Sequence, residues 1–343
     1  MSVRSGFPLA EIDMRSLPYA ALRAATLLLA AAALVGCGVP SFLVTPVQNS
    51  SKLEEKEVAP GQGLLPDKVV VIGVEGTIAN AAAGGFLTPT ENPVSLFVQE
   101  LQKAADDSRV KAVVLRVNSP GGTVSASDAM YQILKRFRAK THKPVVASGQ
   151  EIVASGAYYI SCGADKIVAQ PTTLVGSIGV IFETVNVQGT LSKLGITTYA
   201  YKSAAHKDIG SPFRAPTADE QQIFQGLVDD YYARFKGVVT DNRPIPPSAD
   251  FTQITDGRVY SGAAAAKVGL VDQVGLLEDA IQLAKDLAHA PDAKVVAYRR
   301  PYGYGGSIYA VDEAPPPRAD AMKLQLPDMA TFLPPGFYYM WQP

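Results

Sequence analysis

The sequence predicts an α/β domain built on a largely parallel sheet. Two observations carry that prediction: β-branched runs apolar along almost their whole length, as in strands covered on both faces, and amphipathic helical stretches between them. Val69 to Val74 is the first such run, ending at Gly76. Asn92-Pro93 supplies an N-cap and a first helical position for a helix carrying Leu96, Phe97 and Leu101. Val110 to Val117 is a second strand, stopping at Asn118-Ser119-Pro120-Gly121-Gly122. A helix follows from Ser125 to Ala139, with Met130, Ile133, Leu134 and Phe137 at spacings of three and four. Pro144 to Ala147 reads as a strand, Ser155 to Cys162 as a helix, and Lys166 to Ala169 as a short strand. Thr217-Ala218-Asp219-Glu220 is a capping box opening a helix whose Ile223, Phe224, Leu227, Tyr231 and Phe235 form one apolar stripe, read as core or subunit contact. A last helix runs from Leu277 to Ala288, and beyond Pro291 no regular element is predicted.

Composition narrows the chemistry. At 343 residues and 47% hydrophobic the chain has enough apolar material for a core, which excludes disorder as a whole-chain class. Lys plus Arg total 31 against 32 Asp plus Glu, and no local basic patch stands out, so nucleic acid is not an expected partner. Two cysteines and three histidines are a thin stock for zinc sites or histidine-based triads. Other side chains must carry the chemistry.

The N-terminus points to export. Ala24 to Val35 is a stretch of about 12 apolar residues after Arg15 and Arg23, short for a membrane span and suited to a secretory signal. Leu34-Val35-Gly36-Cys37 resembles the lipobox of bacterial lipoproteins, with Cys37 as the lipidated first residue of the mature chain; a plain signal peptide or short anchor is the alternative. Met14 opens a more typical signal than Met1 and is a candidate start. Residues 1–36 are then signal peptide and 37–67 the lipidated cysteine with a flexible tether. Cys162, in an apolar stretch, is expected to be an inert core residue.

Two glycine-bearing turns sit where strands stop. In Asn118 to Gly122 the proline pins φ, and Gly121 and Gly122 leave backbone N–H groups unobstructed for an oxyanion; an ordinary tight turn is the other reading. Ser155, between Ala154 and Gly156 at the start of a helix, is either an accessible nucleophile with the Gly156 N–H beside it or an N-cap. His142, His206 and His289 offer no base with an acid partner at a telling spacing. Lysine can act as base where burial lowers its pKa, and Lys207 is a candidate, against the commoner role of a solvated loop lysine.

Taken in order, VVVIGVEGTI, VVLRVNSPGG, VASGAYYIS, VGSIGV, KDIGSPFR and GRVYSGAAAAKVGLVDQVG resemble the motifs of the signal peptide peptidase A family, serine proteases related to the Clp peptidase and the crotonases. The resemblance covers Val69 to Asp272. It implies a Clp peptidase/crotonase-like spiral of β-β-α units in one catalytic domain, residues 68–290, with C-terminal helices and an extended tail. It also implies Ser155 as nucleophile, Lys207 as general base, Ser177 orienting the lysine, and Gly122 and Gly156, with Gly121, forming the oxyanion hole. No metal or organic cofactor is implied. Signal peptides and other unfolded segments are the implied substrates, and a homo-oligomeric ring the implied assembly. The lipobox departs from the family's usual transmembrane anchor; it places the catalytic domain outside the cytoplasm, at the cell membrane or outer membrane. A crotonase-like acyl-CoA enzyme and a catalytically silent lipoprotein scaffold are the competing classes. The tail, residues 291–343, is rich in proline and aromatics and ends Phe337-Tyr338-Tyr339-Met340-Trp341, a composition suited to docking on a surface: the protease's own groove, a neighbour's groove, or a subunit contact.

Overall fold

The computed structural model describes residues 52–81, 91–300 and 336–341. The segment read as a signal peptide, Cys37 and most of the tail lie outside them. In chain order the strands are β1 Glu54–Ala59, β2 Lys68–Ile78, β3 Val110–Thr123, β4 Val145–Ala154, β5 Lys166–Ala169, β6 Leu174–Gly176, β7 Ile181–Glu183, β8 Val259–Ser261, β9 Gln273–Val274, β10 Lys294–Arg299 and β11 Gly336–Met340. The helices are α1 Pro93–Asp106, α2 Val124–Thr141, α3 Gly156–Ser161, α4 Gln188–Lys193, α5 Ala218–Asn242, α6 Phe251–Ile254, α7 Gly262–Lys267 and α8 Leu277–Leu287. Among these helices none is long and apolar enough to cross a membrane.

The strand order β1-β10-β2-β3-β4-β5-β9 is parallel from β10 to β9, as the buried runs predict, with β1 antiparallel at one edge. Both faces are covered. One cluster gathers Val70, Ile72, Leu115 and Val117 under α1, α2 and α3, and the other sets Val69, Val71, Ala112 and Val114 against Leu277, Ala280 and Ile281 of α8. This alternation along single strands is the two-residue period of a sheet sandwiched between helices. Cys162 is a buried free thiol in the first cluster, and burial pushes its pKa up to about 12.

Three segments are more ordered than the sequence suggests. Glu54–Ala59, which reads as tether, pairs with β10; its charges are compatible with an exposed edge, and Glu55 with Asp107 neutralises the buried Lys68 ammonium at 2.6 and 2.8 Å. Beyond Pro291, β10 joins the sheet beside β2, and β11 returns to the far ends of β3 and β7. The strand predicted to stop at Asn118 continues through the glycines to Thr123, pairing Gly121 with Thr77 and Gly122 with Ile78 across a register shift.

Candidate active site

The end of β4 sets the site. Ala154 pairs with Gly176 of β6, and the chains leave that last pair as Ser155 and Ser177, both with positive φ (53° and 50°). Ser155 has ψ −117°, a conformation that costs an L-residue on the order of 1–3 kcal/mol and persists only where its surroundings impose it. Those surroundings are identifiable. Ser155 N donates to Gly176 O at 2.7 Å, and Ser155 O accepts from Tyr159 N at 2.9 Å as α3 begins. The resulting strand-turn-helix corner holds the side chain at a fixed point, the geometry of a nucleophile elbow. Ser155 Oγ is buried with no hydrogen-bond partner among the described residues, and it makes no side-chain cap to α3, so the N-cap alternative for this serine falls.

The glycine segment of β3 passes beside it. Ser119 Oγ donates to Gly76 O at 2.6 Å and accepts from Gly121 N at 3.1 Å, so the Gly121 amide is already engaged. Gly121 contributes through its shape instead: at φ 103°, a Cβ there would overlap the Tyr339 carbonyl oxygen and lie 2.7 Å from Gly156 N. A Cβ on Gly156 would lie 3.0 Å from the same oxygen and 3.2 Å from Gly122 N. Two glycines without room for a side chain thus crowd this carbonyl, while a Cβ on Gly122 would overlap the Ile78 carbonyl oxygen.

That carbonyl belongs to β11. The strand runs antiparallel to both walls, Tyr338, Tyr339 and Met340 opposite Thr123, Gly122 and Gly121, and Gly336, Phe337 and Tyr338 opposite Glu183, Phe182 and Ile181. Trp341 N donates to Pro120 O at 2.8 Å, and two residues further along this ladder Gly122 and Tyr339 form the next hydrogen-bonded pair, which aims the Gly122 N–H at Tyr339 O. An extended peptide therefore lies through the groove with one carbonyl at the meeting point of Gly122 N, Gly156 N and the Ser155 corner. The stripe on α5 walls the same groove: Phe224, Tyr231 and Phe235 all meet β11 side chains. Reading the stripe as core is correct for Phe235 and for Tyr231, which packs against the core, and both also meet β11, as Phe224 does.

Ser177 is buried, its N donating to Arg258 O at 2.8 Å. Lys207 is placed differently. It is exposed in the loop between α4 and α5, its N donating to Ala204 O at 3.2 Å, and it makes no hydrogen bond to Ser155. The loop around it is nonetheless pinned. Asp208 accepts from Lys202 Nζ at 2.6 Å and from Arg214 Nε and Nη2 at 2.8 Å, and Arg214 Nη1 donates to Glu220 at 2.8 Å. Arg214 with Lys202 holds the Asp208 carboxyl well below the usual carboxylate range, and Arg214 holds Glu220 down at about 2. His206 is bound up with Asp219 at 3.2 Å on the surface, and His142 and His289 occupy turns at helix C-termini. The structure thus brings Ser155, Ser177, Gly121, Gly122 and Gly156 together and leaves Lys207 on an exposed loop. Two features escape the sequence reading: the strand character of β11, which only the distant walls of its groove reveal, and the Asp128 and Arg234 pair behind it, which no spacing marks.

Comparison with known proteins supplies the context. The family model for peptidase family S49 matches residues 137–290, and that for Clp protease matches residues 89–175. A relative from Enterococcus faecium named as a signal peptide peptidase SppA is 37% identical over 238 residues, 69% of each chain. Proteases from Methanocaldococcus jannaschii and Synechocystis are each 39% identical, over 62% and 66% of this chain and 68% and 77% of theirs.

Proposed function

The chain belongs to peptidase family S49, serine proteases of Clp protease-like fold that use a Ser-Lys dyad, and from that premise we propose that Ser155 is its nucleophile and Lys207 its general base. The observation that carries the assignment is the β11 carbonyl lying against Gly121 and Gly156, opposite Gly122, beside a strained, buried serine whose hydroxyl has no hydrogen-bond partner among the described residues. In the reaction, Ser155 Oγ attacks the carbonyl carbon of a peptide lying where β11 lies, and its proton passes to neutral Lys207 Nζ. The tetrahedral oxyanion accepts hydrogen bonds from Gly122 N and Gly156 N, donors already in place before charge develops. Collapse breaks the C–N bond, the leaving amine takes the proton from Lys207, and water activated by the same lysine hydrolyses the acyl-enzyme. Ser177, the neighbour of Ser155 across the β4–β6 pairing, orients the lysine. This replaces the acyl-CoA and scaffold readings.

Lys207 is exposed in the single chain, and catalysis needs it beside Ser155. We assign that step to a homo-oligomeric ring, in which packing between copies desolvates the lysine and lowers its pKa toward neutrality. The substrates are cleaved signal peptides and other unfolded segments, bound as an added strand so that main-chain hydrogen bonds supply affinity. The signal and lipobox sequence supports a lipid on Cys37, which tethers the catalytic domain to a membrane outside the cytoplasm. The test is hydrolysis of unfolded casein and of a synthetic signal peptide. Ser155→Ala and Lys207→Ala each lower the rate by about 10³-fold or more; variants that hydrolyse like the parent refute the dyad.

A further inference from the structure

Arg214 links the loop that carries Lys207 to the helix that walls the groove, and its guanidinium spans two carboxylates. Nε and Nη2 each donate to Asp208, the residue after Lys207, at 2.8 Å, and Nη2 also donates to the Asp208 backbone oxygen at 3.1 Å. On the other side Nη1 donates to Glu220 Oε2 at 2.8 Å, and Nη2 is paired with Oε1. Glu220 is itself a fixed point. It is buried, and it closes the capping box at the head of α5 by accepting from Thr217 N at 2.9 Å. One turn further along the same helix, Phe224 stacks on Phe182 of β7 at 4.0 Å. The loop closes against this wall at a second point: Gly210, at φ 76°, comes so near that a Cβ would lie 3.4 Å from the Phe224 ring and 3.9 Å from Thr184. Val187 N donates to Pro212 O at 2.7 Å, and Ala215 N donates to Gln188 Oε1 at 3.0 Å, which ties the segment to the start of α4.

We propose that Arg214, through its fork on Asp208 and Glu220, is a positioning residue for the general base: it fixes the backbone of Lys207 relative to α5, so that the lysine and the groove wall move as one body. The proposal rests on the Lys207 reading above and deepens it. A neighbouring copy then packs against a lysine whose backbone is already placed. The magnitude at stake is large, because a displacement of about 1 Å in a catalytic group costs on the order of 100-fold in rate. Only a planar guanidinium suits the bridge. An ammonium at the same position is a point charge and cannot hold both carboxylates with paired bonds. Asp208→Asn keeps the side-chain volume but gives up the charge and one of the two acceptor oxygens, so the fork on that side is lost. Lys202 also donates to Asp208, at 2.6 Å, but its other bond is to Ala205 O at 3.0 Å within the same loop; it balances charge without bridging to α5.

The test uses the full chain and a synthetic signal peptide. Values of kcat and KM are measured for the parent, Arg214→Lys, Asp208→Asn, Lys207→Ala and the double variant Asp208→Asn/Lys207→Ala, with thermal midpoint and sedimentation recorded for each. Arg214→Lys and Asp208→Asn each lower kcat by about tenfold or more, with KM within about twofold of the parent because the groove residues are untouched. The double variant is no slower than Lys207→Ala, since Asp208 acts through the lysine; a purely structural role would slow the residual reaction as well. Parental kcat in both single variants, or a double variant slower than Lys207→Ala by the factor that Asp208→Asn costs alone, overturns the inference and leaves the dyad standing. Loss of kcat together with a change in sedimentation also overturns it, because the brace then serves assembly. Should Arg214→Lys fail to fold, Asp208→Asn decides alone. If Lys207→Ala hydrolyses like the parent, the dyad reading fails and the inference fails with it.

Discussion

Ser155 sits at φ 53° and ψ −117°, a region that glycine occupies freely and alanine does not. The strain is held by bonds at both ends of the residue, from its N to Gly176 O and from Tyr159 N to its O. Removing the hydroxyl alone keeps the strain; removing Cβ releases it. Ser155→Gly is therefore more stable than Ser155→Ala by about 1 kcal/mol, measured as the difference in denaturant midpoints at equal m-value, while both lack activity. Equal stabilities contradict the account of an imposed backbone. The chemistry of this residue was legible in the sequence only as a choice between nucleophile and N-cap, because an Ala-Ser-Gly corner at a helix start serves either. The structure removes the side-chain cap, since the hydroxyl bonds to nothing among the described residues, and the nucleophile remains as the proposal. Gly121 is a case where the sequence reading ran too far: the need for glycine is real, but its amide is engaged by Ser119 Oγ and it serves by leaving space.

Among the elements, β11 is the one whose role depends wholly on its partners. Its aromatics alternate in the strand sense, Phe337 and Tyr339 toward α5 and Tyr338 between, but the residues that make it a strand are Gly121 to Thr123 and Ile181 to Glu183, far away in sequence. Composition could show that the run docks; only the fold shows where. The central parallel strands β2, β3, β4 and β5, by contrast, were legible because each carries its own evidence in a mostly apolar run, and the capping box at Thr217 forms as read. Since β11 occupies the groove proposed as catalytic, removing its two anchoring rings should open it. The double variant Phe337→Ala/Tyr339→Ala is expected to raise kcat/KM on a short peptide by about tenfold or more, with a modest fall in thermal midpoint from the lost burial. Unchanged or lower activity in a folded variant contradicts occupation of the groove by the tail.

At the scale of the whole molecule, one sheet gathers pieces from most of the described chain around a single carbonyl position: β2, β3 and β4 bring the glycines and Ser155, β6 brings Ser177, and α5 brings the aromatic wall. Lys207 is the piece the isolated chain leaves outside, on a loop braced by Arg214. Of the motifs spread through the sequence, those carrying Gly121 and Gly122, Ser155 and Gly156, and Ser177 meet at this site; their convergence is a property of the sheet and could not be read from any of them alone. The central claim is that Ser155 forms a covalent bond to the carbonyl carbon of a bound peptide. Intact-mass and peptide-mapping spectrometry on the full chain, acid-quenched during turnover of a tyrosine ester, tests it most directly. The account predicts an acyl adduct on Ser155 that fails to form in Lys207→Ala. Turnover with no adduct at Ser155, or an adduct on a different residue, contradicts it.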